Sequence, residues 1–288
     1  PTVHSEKALH GVELIENRGK LQVQLTTSAV PEGVDEDIRL AWVTANEFRN
    51  QVGLEPVALD LQRIDAAQKH SKYLQLNGGG GAGELNVHDE ISTLPGYTPE
   101  GKQAANGNVM WKSSGSDLPS QPDHEIATLF HRSEYIYPST TMGAGADGGY
   151  SVVWMEAGQM DNARWLQSNN MKSRWVMVPA AGQKNVPRRA KRDHPIPASV
   201  PDFYQQQRGW PISVASSYKY RELANAKIQL FDAKGKVVPG FSITMADAGF
   251  TSQGFQAHYL FAAEDALQSN SNYRAEFTAK LKASDRPL

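Results

Sequence analysis

The chain has 288 residues, with 29 Lys+Arg against 31 Asp+Glu and no cysteine, a length suited to roughly two domains of about 100–200 residues each. A net charge of -2 argues against a general nucleic-acid footprint, which is basic. Lack of cysteine excludes a disulfide framework, a thiolate metal site and a cysteine nucleophile, and no run of about 18 apolar residues offers a membrane-spanning helix.

Residues 1–35 read as an N-terminal arm. Leu21, Val23 and Leu25 alternate with Gln22, Gln24 and Thr26, which predicts one short strand there. Because the chain opens on Pro1, the expectation is that an N-terminal piece, such as an export signal, has been lost. From Asp37 the pattern turns helical, with Ile38, Ala41, Trp42, Ala45 and Phe48 on one face. Gly53 and Pro56 stop that helix, and Asp60 is the expected N-cap of the next. Leu61, Ile64, Ala67, Ser71 and Leu74 form its apolar face, and Asn77 with Gly78 to Gly81 ends it. Thr98-Pro99-Glu100 predicts another start, Thr98 as cap and Pro99 in the first turn.

A further helix is expected from Asp123, with Ile126, Leu129, Phe130 and Ser133 on one face, ending by Pro138. Met142 to Gly149 reads as a glycine-rich loop, and Tyr150 to Glu156 and Trp175 to Val178 as strands. Helices first and strands later predict an α+β fold. Proline and basic residues from 181 to 208 suggest a solvated linker; its cluster Arg188, Arg189, Lys191 and Arg192 is the alternative phosphate-binding patch. After Gly209 six short apolar stretches and the turn Asp232-Ala-Lys-Gly235 predict a small antiparallel sandwich. The expected division is therefore an arm (1–35), a mixed domain (36–180), a linker (181–208) and an all-β module (209–288).

Chemistry concentrates between His70 and Asn108, beside a glycine run where binding residues often lie. His70, His88 and Glu90 fall there, and the stretch Leu129 to Gly145 adds His131. GGGGAG lacks the Lys-Ser/Thr of a phosphate loop, and no G-x-S-x-G elbow occurs. His70 is read either as a cleft residue or as a helix-surface residue bonded to a loop carbonyl. His194 and His258 receive no role.

Asn46, Arg49, Gly53, Leu54, Pro56 and Asp60, then Val87-His-Asp-Glu90, then His131-Arg132 with Pro138 and Gly143-x-Gly145, resemble the CAP superfamily (cysteine-rich secretory, antigen 5, pathogenesis-related), most of all its cysteine-free bacterial SCP-like extracellular branch. The tail resembles the extension that precedes an Ig-like module. The resemblance implies an α-β-α sandwich followed by a small all-β Ig-like sandwich. It further implies a secreted or cell-surface protein whose cleft holds two histidines and two acidic residues, sometimes with a divalent metal such as zinc. His88 and His131 match the two histidines; Asn106-Gly107-Asn108-Val109 stands where the family has Gly-Glu-Asn-Ile, so one glutamate is missing. Glu90 and Glu125 are the candidate substitutes.

Two imidazoles and a carboxylate could hold zinc with one position open to water. The missing glutamate reduces the expectation to a weak site at His88 and His131. The reading is a binding or interaction module for a small apolar ligand, a lipid, a polymer or another protein, with no nucleic acid. Its alternative is a metal-assisted hydrolase using His88, His131 and an acidic residue. No catalytic residue is assigned.

Overall fold

The computed structural model describes residues 11–17, 20–26, 30–78, 86–111, 117–137, 139–155, 175–192, 194–219, 223–249 and 256–282. The chain divides into two units. One comprises Pro1–Gln51, Glu55–His124 and Ser139–Ala157; the other comprises Val52–Leu54, Glu125–Pro138 and Gly158–Leu288. The division thus differs from a cut between 178 and 209.

The first unit opens with β1 (Gly11–Asn17) and β2 (Lys20–Thr26), paired antiparallel with Gly11 opposite Thr26. Only the second of these strands was visible in the alternation of the sequence. α1 (Glu36–Gln51) buries Ile38, Ala41, Trp42, Ala45 and Phe48, the stripe its spacing predicts. It also buries two polar residues, Asn46 and Arg49. Asn46 and Trp42 both donate to the carbonyl of Val57, while Val57 N–H donates to Asn46 Oδ1 at 2.8 Å. Arg49 Nε donates to Glu55 O at 2.9 Å and Nη2 reaches Ser139 O at 3.3 Å. Full burial pulls the Arg49 guanidinium down to about 9. These polar residues satisfy the carbonyls of a loop that has no ladder of its own.

Strand β3 (Ala58–Leu59) follows. α2 (Leu61–Asn77) begins where Asp60 accepts from the N–H groups of Gln62 and Arg63, and ends at Gly78, whose φ of 65° lets its N–H reach Leu74 O. α3 (Pro99–Ala104) is capped by Thr98, which accepts from Gly101 N–H. β4 (Asn108–Trp111) comes next; along the chain the short helices α4 (Gln121–Ile126), which straddles the division at His124, and α5 (Arg132–Ile136), which belongs to the second unit, then intervene. β5 (Thr141–Asp147) and β6 (Tyr150–Met155) complete the sheet β3-β5-β6-β4, parallel at β3–β5 and antiparallel elsewhere.

Two expectations change here. Residues 142–147 are strand, not loop: α2 lies so close to β5 that a Cβ at Gly143 would stand 2.2 Å from Arg63 C, and one at Gly145 2.4 Å from Gln68 N. The glycines remove side chains between helix and sheet, a close approach that glycine in a strand often marks. The single helix expected from Asp123 is two short ones. Thr128 Oγ1 donates to Glu125 O at 2.6 Å and Arg132 Nε to Ile126 O at 2.9 Å, so side chains take carbonyls that a continuous helix would use.

The second unit is built on β7 (Trp175–Val178), β8 (Ile212–Lys219), β9 (Leu223–Phe231), β10 (Gly240–Thr244), β11 (Gln256–Ala263) and β12 (Arg274–Leu281). They form antiparallel sheets of order β10-β11-β8-β7 and β12-β9. Ile212, Val214 and Phe261 of one sheet pack with Ile228 and Leu230 of the other. Strand alternation then turns Leu260 and Ala262 to the opposite face. There they cluster with Ile243, Leu129, Phe130, Val200 and Phe203.

The segment read as linker is therefore part of this unit. Val200 and Phe203 are buried in its core. Ala190 N–H donates to Arg208 O, Lys191 N–H to Ala127 O and Trp210 N–H to Arg188 O. Of the six short stretches expected as strands after Gly209, the one at 236–238 is reduced to a single bridge between Phe231 and Val237.

His258 on β11 is fully buried, edge-on to Tyr137 with ring centroids 5.7 Å apart. Burial, and after it the charge of Arg132, holds its imidazolium down at about 3 against an ordinary 6.5. At pH 5 the unfolded chain therefore binds a proton that the folded chain does not. This contribution to stability is complete above about 6.5 and is lost progressively as pH falls toward 3. His258→Leu is expected to shrink the stability lost between pH 7 and pH 5 by about 2 kcal/mol, read from urea midpoints at the two pH values. An unchanged loss would place the acid sensitivity on other groups.

Candidate functional site

The C-terminal half of α2 supplies one wall of the candidate site, and the loop 86–98 supplies the other. His70 and Glu90 are both buried, at 0% and 1% exposure, and His70 Nδ1 lies 2.9 Å from Glu90 Oε1. The second ring nitrogen, Nε2, is 2.9 Å from Val87 O. A carbonyl only accepts, so Nε2 carries a hydrogen. Nδ1 and the carboxyl then face each other as the ring's second hydrogen-bonded contact. Glu90 Oε2 accepts from Thr98 N–H at 3.0 Å, tying the pair to the cap of α3.

Two more α2 side chains hold the same loop. Tyr73 Oη accepts from Ile91 N–H at 2.9 Å, and Asn77 Nδ2 donates to Pro95 O at 2.9 Å. Beneath them Tyr73, Leu74 and Tyr150 pack with Val87, Leu94, Tyr97 and Val109. The loop is thus seated on a polar row with an apolar floor, although it has no regular secondary structure of its own.

His88 is exposed on this loop. Its N–H donates to Asn86 Oδ1 at 2.9 Å, and its Nδ1 is 3.0 Å from Ala105 O at the end of α3. Lys102 binds Asp89 at 3.0 Å; that hydrogen bond raises the lysine and holds the Asp89 carboxyl below its usual range. The structure therefore joins His70 to Glu90 and presents His88 beside them. Glu125 and His131 belong to the second unit. There Glu125 is buried and its Oε2 accepts from Tyr135 Oη at 2.5 Å, while His131 is half-buried at the start of α5. The glycine run beyond Gly78, residues 79–85, lies outside the described residues.

A divalent metal does not fit the pair His70 and Glu90. Both ring nitrogens of His70 and both oxygens of Glu90 are already bonded within the protein. Among the described residues no group of three or more His, Asp or Glu is placed to hold an ion. Position 107 also resists the missing glutamate. Gly107 lies against β6, and a Cβ there would stand 2.7 Å from Val153 O and 2.9 Å from Trp154 Cβ. The obstacle is close packing rather than a positive φ. Gly107→Ala is expected to cost about 1–3 kcal/mol, seen as a lower thermal midpoint; a neutral result would show that β4 and β6 part easily.

Sequence reasoning had named His70 and Glu90, but not Tyr73 or Asn77 as their companions. The available signal was spacing: 70, 73 and 77 lie three and four apart, on one helical face.

Residues 44–151 match the family model of CAP, the Cysteine-rich secretory protein family. This supports a CAP superfamily relationship for that stretch, in keeping with its mixed α and β structure. No curated protein and no solved structure matches the chain.

Proposed function

We propose that this protein is a secreted or surface-exposed CAP-domain binding module, of the SCP-like type and with an Ig-like second unit, that takes a small apolar or polymeric ligand at the face carrying His88. The observation that carries this reading is Gly107: where the family motif has a carboxylate, the backbone packs on β6 too closely for any side chain. Binding survives that loss, whereas hydrolysis assisted by a metal needs the full donor set. Support for an apolar ligand comes from Leu76 and Ile91, 54% and 47% exposed on the same helix and loop. The secretory character in the family's name supports the location outside the cell.

The test uses the full chain with a dansylated fatty acid as probe, and zinc alone in a separate calorimetric titration. Saturable probe binding, weakened at least tenfold by His88→Ala, is the expected result. His131→Ala, measured alongside, reports whether the second histidine takes part. Stoichiometric zinc binding that is abolished by His88→Ala, with no probe binding, would replace this reading with the metal-assisted hydrolase.

A further inference from the structure

The two units differ sharply in charge. Pro1–Gln51, Glu55–His124 and Ser139–Ala157 hold 10 Lys+Arg against 19 Asp+Glu, net -9, while the remaining residues hold 19 against 12, net +7. The near-neutral total hides a strongly acidic unit and a strongly basic one. Charge asymmetry of this kind points to a polyanionic partner for the basic part.

The positive charge is densest at 184–192, where Lys184, Arg188, Arg189, Lys191 and Arg192 occur with no acidic residue between them. All five are exposed. The stretch is not a loose tail. Its backbone is fixed by the bonds of Ala190, Lys191 and Trp210, by Leu267 N–H donating to Arg188 O, and by a bridge between Arg189 and Gly209. Four residues on from Arg192, Ile196 is 41% exposed between Pro195 and Pro197.

We propose that this face of the second unit docks on an anionic membrane surface, its cations meeting lipid phosphates and Ile196 entering the headgroup layer. A preordered backbone lowers the entropy lost on docking. The aliphatic neighbour distinguishes lipid from nucleic acid, whose single strands are held by stacking on aromatic rings. Among the described residues of this unit the large apolar side chains that stand exposed are Ile196 and Val237, neither of them aromatic. The first unit's negative charge opposes indiscriminate adsorption, so attachment depends on the basic face. The proposal is independent of the ligand site around His88.

The experiment is co-sedimentation of the full chain with vesicles of phosphatidylcholine alone or mixed equally with phosphatidylglycerol. Binding is expected only to the mixed vesicles, and lost at about 0.5 M NaCl, where the screening length falls to roughly 4 Å. Each cation near such a surface contributes roughly fivefold in affinity, so R189Q/K191Q/R192Q is expected to weaken binding about a hundredfold. A control, K227Q/K234Q/K236Q, removes as many exposed charges from the same unit and is expected to stay within about threefold. Should the first triple variant melt early, Arg192→Glu alone, a change of two charge units, is expected to weaken binding roughly 25-fold. Indifference to phosphatidylglycerol, equal loss in the control, or tighter binding to duplex DNA than to the mixed vesicles at one salt concentration would overturn the proposal.

Discussion

Glu90→Ala is expected to lower the stability of the first unit by about 3–5 kcal/mol, the usual consequence of removing one member of a buried, hydrogen-bonded ionisable pair. The carboxyl sits between His70 Nδ1 and Thr98 N–H, and its loss leaves a fully buried ring nitrogen and a half-buried N–H without that partner. The cost of an unsatisfied buried polar group, about 1–3 kcal/mol, applies in full at the His70 end and in part at Thr98. Glu90→Gln keeps an acceptor for Thr98 and should cost less. Urea unfolding of both variants measures the difference. A loss below about 1 kcal/mol for the alanine variant would mean that the loop 86–98 is held by its apolar floor alone.

The second large effect concerns Arg132. It is fully buried, with Nε on Ile126 O, Nη1 on Pro211 O and on Ser213 Oγ at 3.1 Å, and its guanidinium 4.9 Å from the Trp210 ring. Within the second unit it joins the segment 125–138 to strand β8. Arg132→Met keeps much of the volume but leaves three acceptors unbonded, so a loss of about 4 kcal/mol is expected. Arg132→Lys should recover little, because an ammonium cannot address the three acceptors with the geometry of a guanidinium. If the methionine variant unfolds at the parent urea midpoint, the segment is fixed by Leu129 and Phe130 instead.

What could be read from the sequence was local. Asp60 and Thr98-Pro99 marked helix starts because a cap is made within one turn. Gly143 and Gly145 were misread because the reason for them lies on another element, the flank of α2. The break between α4 and α5 was invisible for a similar cause: it depends on where the Arg132 and Thr128 side chains send their hydrogens. His70 and Glu90 stood out as titratable residues in one stretch, yet nothing in their order said that each would use up the other's bonding capacity. The burial of His258 was legible after all. It shares the period-2 face of Leu260 and Ala262, a pattern stronger than its polarity.

The second unit also has a consequence for how the chain is made. Its core joins Leu129 and Phe130 to Leu260 and Ala262, so an early segment must wait for a late strand. At roughly 5–20 residues per second the wait is on the order of ten seconds. Through that interval two large apolar side chains and a guanidinium stand on a nascent chain without the strands that later enclose them. Ribosome-bound chains halted just before residue 256 should therefore recruit chaperone at Leu129–Phe130, and chains released with β11 in place should not.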